Sequence, residues 1–266
     1  MRWSAVITTF NSSSVIEEAL DSILSLDSGE KPSDIVVVDN DSSDDTIHIL
    51  GSYSDRIKLI RNNTNLGLAR ANNLGASAAE GDAIFFLNPD VKLLPGSVIE
   101  LIRFQRVHPR AGLLGPRMVD ENGTVQSTAR TWPTPAVIAS RRTLFGRTGL
   151  GAGISDRHIN RFSGSSPLKP HWLVGAALWL TPGGRRQVGL MSEKYFLYFE
   201  DVEWCFRAWK RNMEVWYVPS SVITHVCKRE SISGGSALKH HLGSMVRFLA
   251  THPSVVLGMG PGGGTE

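Results

Sequence analysis

The sequence predicts an α/β fold with a mostly parallel central sheet and helices on both faces. Three observations predict it. Short apolar runs of strand length recur at residues 3–10, 35–38, 57–60 and 83–87. Helix-spaced segments lie between them, the first with Val15, Ile16, Ala19, Leu20, Ile23 and Leu24 on one face. Such a β-α-β-α rhythm is joined by crossovers, which make neighbouring strands parallel. Finally, polar residues follow two of the strands at once: Asp39 after the second, and Asn88, Pro89 and Asp90 after the fourth. Ligands of such sheets bind beyond the strands' carboxyl ends, where Asp39 and Asp90 sit.

The elements are justified in chain order. Ser14 and Glu17 predict a capping box at the start of the first helix. The polar stretch from Asp39 to Asp45 suits the N-terminus of the second helix. A third helix is expected from about Leu68. Residues 128–170 read as a long excursion with helix near 137–144. It carries Pro133, Pro135, many glycines, and Arg130, Arg141, Arg142, Arg147, Arg157 and Arg161. Long loops in compact domains are usually functional or disordered. A buried strand is expected over 171–180. A helix then starts near Glu200, with Val202, Cys205, Phe206 and Trp209 on one face and a Glu203–Arg207 pair on the other. Two short strands, 215–218 and 222–226, precede a last helix striped by Leu238, Leu242, Met245, Val246 and Leu249.

Composition narrows the function classes. The chain has 266 residues, of which 41% are apolar and 20% charged, and this suits one sizeable core. A net charge of +3 and a pI of about 9.0 are too mild for a nucleic-acid-binding surface. They suit contact with phosphates or an anionic membrane face. Cys205 and Cys227 have no metal-like spacing, so a reducing, cytoplasmic setting is expected rather than a disulfide framework. No apolar run reaches the roughly 18 residues of a membrane span.

Four clusters carry chemistry. The first joins Thr9 and Asn11, after the opening strand, with Asp39 and Asn40. A carboxylate there either accepts the N3–H of a uracil or thymine ring or caps the next helix. The second contains Asn65, Gly67 and Arg70. Small residues at a helix N-terminus admit a nucleotide, and Arg70 suits a phosphate; a tightly packed turn explains them too. The third is Asn88-Pro89-Asp90. Mg²⁺ is commonly held by one or two carboxylates with substrate phosphates, although the same residues make a good turn. The fourth runs from Tyr195, Phe196, Tyr198 and Phe199 into Glu200, Asp201 and Glu203. First-turn acids are favoured at any helix start. The preceding aromatics either floor a sugar pocket or fill a core.

Taken in order, these pieces resemble the family 2 glycosyltransferases, in particular their rhamnosyltransferase-like branch. The matching residues are Val6, Thr8, Phe10 and Asn11; Val38, Asp39, Asn40, Ser42, Asp44 and Thr46; Asn65 and Gly67; and Leu87 through Asp90. Further on they are Trp172, Gly175 and Ala176; Phe196, Tyr198, Glu200, Asp201, Glu203, Cys205 and Arg207; and Tyr217 and Pro219 before His225. They extend from residue 3 to about 231, and their joint order carries the resemblance.

The resemblance implies a GT-A-type (nucleotide-diphospho-sugar transferase) fold, a nucleoside-diphosphate sugar donor and Mg²⁺ or Mn²⁺. By it, Asp39 contacts the base, Asp90 and His225 serve the metal, and Asp201 is the catalytic base. Thr9, Asn11, Asn65, Gly67, Arg70, Asn88, Trp172, Gly175 and Glu200 complete the expected substrate surface. Residues 1–115 form the nucleotide-sugar-binding half, 116–251 the acceptor-binding and catalytic half, and 252–266 a flexible tail. Three departures stand out. Asn88 and Glu203 each occupy a place where aspartate is common, and residues 227–231 lack a glycine-rich step, leaving Lys228 and Arg229 to close over the diphosphate.

Inversion at an anomeric carbon needs a base for the acceptor hydroxyl and a cation at the leaving diphosphate. No nucleophile elbow or Walker loop is present. A sugar nucleotidyltransferase would want a glycine- and arginine-rich loop where Asn11, Ser12, Ser13 and Ser14 stand. A non-catalytic nucleotide-sugar-binding protein would not need Asp90, Asp201 and His225 together. The resemblance favours dTDP-L-rhamnose over a UDP sugar as donor, and a glycan or lipid-linked acceptor, with no nucleic-acid partner. The arginines of 130–161, with Lys239, His240, His241 and Arg247, suit peripheral contact with the inner membrane face. Alternatively the last helix packs its stripe on the core and leaves its charges solvated.

Overall fold

The computed structural model describes residues 1–142, 144–160, 165–226 and 235–262. Arg161, Cys227, Lys228 and Arg229 lie outside the described residues. The chain opens with β1 (Trp3–Thr9), α1 (Ile16–Leu24), β2 (Asp34–Asp39), α2 (Thr46–Gly51), β3 (Lys58–Arg61), α3 (Leu68–Ala78) and β4 (Ala83–Leu87). Then come β5 (Val91–Leu93), α4 (Ser97–Val107), β6 (Ala111–Val119), β7 (Val125–Gln126), β8 (Ala129–Arg130), α5 (Pro135–Arg142) and α6 (Gly149–Asn160). The last part holds β9 (Trp172–Leu173), β10 (Ala177–Leu180), α7 (Pro182–Gln187), α8 (Glu200–Lys210), β11 (Glu214–His225), α9 (Gly235–Thr251) and α10 (Pro253–Val256).

The strands of one large sheet run β3-β2-β1-β4-β10-β6-β11-β5, with β7 on β6. β1 to β4 form the parallel block that the sequence predicts. Beyond it the sheet is mixed, because β10 runs antiparallel to both β4 and β6, and β5 and β7 are antiparallel to their partners. β6 and β11 are parallel as well, so the parallel expectation holds for β1–β4 and for this pair, and an apolar run does not encode the antiparallel direction of β10, β5 and β7. The inner strands read as unbroken apolar runs because both faces are covered. Ile35, Val37, Phe85 and Leu87 join one core cluster, and Val36, Val38, Ile84 and Phe86 the other. Trp3, Phe85 and Trp179 pack edge-on or tilted within the first cluster with ring centroids 5.6–6.3 Å apart. Burying each such ring stabilises the fold by roughly 1.5–3 kcal/mol.

Several local expectations are corrected. α1 has Val15 as its N-cap with no side-chain cap, and the Ser12 carbonyl accepts from the Val15 and Ile16 amides instead of a capping box. The 171–180 run breaks into β9 and β10, because Val174, Gly175 and Ala176 turn out of one sheet into the other. The two strands expected at 215–226 are one, with an irregularity between Val218 and Val222. Pro219 has no N–H to give a ladder, and such a shift accommodates it. The excursion contains α6 as well as the expected helix. On α9 the apolar stripe divides. Phe248 is buried and Met245 and Leu249 pack on the core, whereas Leu238, Leu242 and Val246 are exposed. His240 and His241 do not lie on a solvated basic face. His240 stacks on Phe196 at 4.5 Å, and His241 packs tilted against Tyr198 at 5.1 Å. Within the expected tail, α10 buries Val255, and Trp132 Nε1 donates to the Pro261 carbonyl at 3.2 Å.

Candidate active site

Topology brings the ends of β1, β2, β4 and β11 together with the start of β10. β1 and β2 are in register, so Thr9 lies beside Asp39. β10 begins against the end of β4, with Ala177 opposite Leu87, and the Asn88 amide donates to the Ala176 carbonyl at 2.8 Å. That sets Gly175 beside the Asn88–Asp90 turn. β11 ends antiparallel to β5, so His225 pairs with Val91 and its Nε2 comes 3.4 Å from Asp90 Oδ1. A cleft of about 650 Å³ opens over these ends.

Of the residues expected from sequence, Asn11, Asn88, Asp90, Gly175, Glu200, Asp201 and His225 line this cleft. Thr9 and Asp39 are buried just beside it and do not line it. Asp39 has both of its anticipated faces. Its Oδ2 accepts from the Ser42 amide at 3.1 Å, while its Oδ1, like Thr9 Oγ1, is buried without a hydrogen-bond partner among the described residues. A buried unpaired acceptor costs about 1–3 kcal/mol, so a ligand donor aimed at it would be strongly favoured.

Asn65, Gly67, Arg70 and Trp172 stand outside the cleft lining. Asn65 Oδ1 accepts from Asn40 Nδ2 at 2.8 Å and from the Gly67 amide at 2.9 Å, tying the loops after β2 and β3 together. Gly67 has φ +82°, and a Cβ there would run into the Phe196 backbone; the glycine admits the aromatic loop, whose carbonyl accepts from the Leu68 amide at 2.8 Å. Arg70 is exposed and faces Glu193 at 4.0 Å. Trp172 donates to the Thr131 carbonyl at 2.6 Å and lies under Arg130, whose guanidinium carbon is 5.4 Å from the ring centre. Ser42, Asp44 and Thr46 form a clamp: Thr46 Oγ1 accepts from the Ser12 amide at 2.8 Å, Asp44 from Ser13 at 3.0 Å, and Ser42 from Asn11 at 2.9 Å.

The acidic pair is held at the start of α8 by a strained approach, since both Tyr198 and Phe199 have φ of 66°. Such conformations are uncommon for aromatic residues and persist where the surroundings impose them. Tyr195 and Phe199 are core residues, whereas Tyr198 lines the cleft. Asp201 Oδ2 accepts from the Gly175 amide at 2.9 Å and Oδ1 from Val202 at 2.8 Å. Burial raises the Asp201 pKa; those amides and the Arg130 charge pull it back. Glu200 is buried with Oε2 lacking a hydrogen-bond partner among the described residues. Burial, then the Asp201 carboxylate, pushes its pKa up to about 8. Burial thus raises both carboxyls of the pair, and only Asp201 has backbone amides and a nearby Arg130 charge that favour its ionised form.

Gln126, Ser127, Thr128, Arg130, Leu197 and Tyr198 also line the cleft. Gln126 carries no sequence signal, because it sits on a two-residue strand with no periodicity around it, and Arg130, read in sequence with the arginines suited to a membrane face, lines the cleft instead. Among the described residues no three His, Cys, Asp or Glu side chains cluster as a metal cage. Asp90 and His225 do converge, and Asp90 Oδ1 has no hydrogen-bond partner among the described residues. Two protein ligands with room for phosphate and water fit Mg²⁺ or Mn²⁺ chemistry.

Comparison with known proteins gives a consistent assignment. The "Glycosyl transferase family 2" model matches residues 4–163. N-acetylglucosaminyl-diphospho-decaprenol L-rhamnosyltransferase of Mycobacterium tuberculosis is 30% identical over 237 residues, 85% of this chain and 77% of that protein. The low-salt glycan biosynthesis hexosyltransferase Agl10 of Haloferax volcanii is 26% identical over 80% of this chain and 63% of its own. The crystal structure of GalNAc-T7 with UDP, GalNAc and Mn²⁺ superposes with TM-score 0.69 at 18% identity, covering 94% of this chain and 48% of that one. S. aureus TarS 1-349 in complex with UDP superposes with TM-score 0.59 at 18% identity, covering 97% and 70%. The sugar nucleotidyltransferase alternative falls with these matches. The chain belongs to glycosyltransferase family 2 and is a hexosyltransferase with the GT-A fold.

Proposed function

We propose that the enzyme transfers L-rhamnose from dTDP-L-rhamnose to a hydroxyl of a lipid-linked or cell-envelope glycan, with inversion. The observation that carries the reading is that Asp201 and Asp90 line one cleft, which supports reading one as the base and the other as the cation-binding carboxylate. Asp201 takes the acceptor proton. Asp90 and His225 hold Mg²⁺ or Mn²⁺, which supplies positive charge at the leaving diphosphate. Glu200, neutral at physiological pH, donates to a sugar hydroxyl. Asp39 accepts N3–H of the pyrimidine, with Thr9 beside it. The base sits over the β1–β2 ends, framed by the Asn11, Asn65 and Gly67 loops. The mycobacterial relative's name supports rhamnose and a lipid-diphosphate acceptor.

Work at the inner membrane face is part of this reading. No helix among the described residues is long and apolar enough to cross a membrane. The exposed Leu238, Leu242 and Val246 on α9, with Lys239 and Arg247 beside them, suit shallow seating on an anionic bilayer. The test is a panel of dTDP- and UDP-sugars with Mg²⁺ or Mn²⁺, scored for thermal stabilisation and for transfer to a polyprenyl-diphosphate sugar in anionic vesicles. dTDP-L-rhamnose should give both. Turnover confined to a UDP-sugar would overturn the donor, and equal transfer to a soluble acceptor without vesicles would overturn the membrane setting.

A further inference from the structure

We infer that Gln126 is a positioning residue that sets the tautomer of His225 and so arms the cation site. The inference rests on the reading of Asp90 and His225 as metal ligands. β7 pairs with β6 so that Gln126 lies opposite Met118, next to the end of β11. Its side chain grips His225 twice. Nε2 donates to the His225 backbone carbonyl at 2.7 Å, and Oε1 lies 2.8 Å from His225 Nδ1.

These two contacts determine where the ring proton sits. A carboxamide has one donor nitrogen and one acceptor oxygen. A backbone carbonyl only accepts, so it must face the amide nitrogen; the flipped amide would set oxygen against oxygen. Oε1 is then left facing Nδ1 and can only accept, so Nδ1 carries the hydrogen. In the neutral ring the lone pair falls on Nε2, the nitrogen 3.4 Å from Asp90 Oδ1. That oxygen is buried and makes no hydrogen bond among the described residues. In this neutral form two electron-pair donors, His225 Nε2 and Asp90 Oδ1, face the same point, an arrangement that a divalent cation resolves. The opposite tautomer would place an N–H there and block it. Outer contacts of this kind, orienting a ligating histidine, typically carry about 10–100-fold in metal affinity.

The experiment has two readouts. Long-range ¹H–¹⁵N spectra of histidine-labelled protein, recorded without metal about two pH units above the ordinary imidazole value and assigned with His225→Ala, report the tautomer. Wild type and Gln126→Glu, which keeps an acceptor at Nδ1, should show the Nδ1–H form, and Gln126→Leu should lose it. An Nε2–H form in wild type overturns the inference. Mn²⁺ binding followed by electron paramagnetic resonance in the presence of dTDP should weaken roughly 10–100-fold in Gln126→Leu, with melting curves confirming that the variant is folded. Unchanged Mn²⁺ affinity in Gln126→Leu, while His225→Ala loses binding, overturns the role of Gln126 and leaves the metal reading standing. Unchanged affinity in both His225→Ala and Asp90→Ala removes the metal reading itself, and this inference with it.

Discussion

The Gly175 amide donates to Asp201 Oδ2 at 2.9 Å, and a Cβ at position 175 would sit 3.2 Å from the Asp201 Cβ. The turn between β9 and β10 therefore holds the carboxylate, and a side chain at 175 would press on it. Gly175→Ala should push Asp201 by a few tenths of an ångström. A misplacement of about 1 Å can cost about 10²-fold in rate, so a shift of a few tenths should cost up to roughly tenfold. We expect kcat to fall by this amount with donor affinity unchanged; a kcat equal to wild type would show that the carboxylate's placement does not matter.

Asp201→Asn keeps the shape of the site and removes the base. Transfer should fall by about 10²–10⁴-fold while calorimetry records donor binding as in wild type. Wild-type-like turnover would remove Asp201 from the role of base.

The charge of Arg130 gives a pH prediction. Burial raises the Asp201 pKa, and the Arg130 charge opposes that rise. A base must be ionised, so activity falls as pH drops through that pKa. Arg130→Met should move the acid limb of kcat/KM to higher pH. Arg70→Ala, by contrast, should leave kcat/KM within about twofold, because Arg70 is exposed and faces Glu193 away from the cleft. A large loss in the Arg70 variant would restore it to the phosphate site that its sequence position suggests.

Glu200 links the site to stability. Its pKa is raised in the folded protein to about 8. The native state then binds more protons than the unfolded one between the ordinary glutamate value and about 8, so stability is fully present below that window and is lost as pH rises through it. Glu200→Gln removes the titration. Its melting temperature should fall less than that of wild type between pH 5 and pH 9 (about the window set by the two values). Parallel melting curves over that range would mean that Glu200 is already ionised in the fold.

Residues near the strand ends were legible in sequence for a physical reason. Asp39 and Asp90 directly follow apolar strands of parallel crossovers, and sheet topology alone places such positions at the ligand edge. Asp201 was legible because acids at a helix start followed aromatics that a cap does not require. The contributions of Gln126 and Arg130 arise instead from long-range pairing, β7 on β6 and β8 on β9, and two-residue strands leave no periodic trace. Gly67 and Asn65 were legible as special positions, but their contacts are with Phe196 and Asn40. A glycine's need for close approach is visible in sequence; what approaches it is not. The direction of β10 was likewise hidden, and with it the turn that presents Gly175.

Asp39 provides the last test, on base selection. Its two oxygens are already differentiated, since Oδ2 is committed to the Ser42 amide and Oδ1 has no hydrogen-bond partner among the described residues. An acceptor of this kind matches the N3–H of thymine or uracil. Cytosine presents a bare N3 instead, and the purines present a different edge. Competition should therefore rank dTDP and UDP ahead of CDP and GDP. Asp39→Asn separates recognition from capping. The amide oxygen can keep the Ser42 contact while the NH₂ group turns toward the base, offering a donor where wild type offers an acceptor. A lost hydrogen bond to a charged acceptor is worth about 1.5–3 kcal/mol, or roughly 10–150-fold in affinity. The variant should lose dTDP and UDP binding by about that factor and gain on CDP. Were all four nucleotides to inhibit equally in wild type, or were Asp39→Asn to keep its thymine preference, Asp39 would be a loop cap and the base would be read elsewhere.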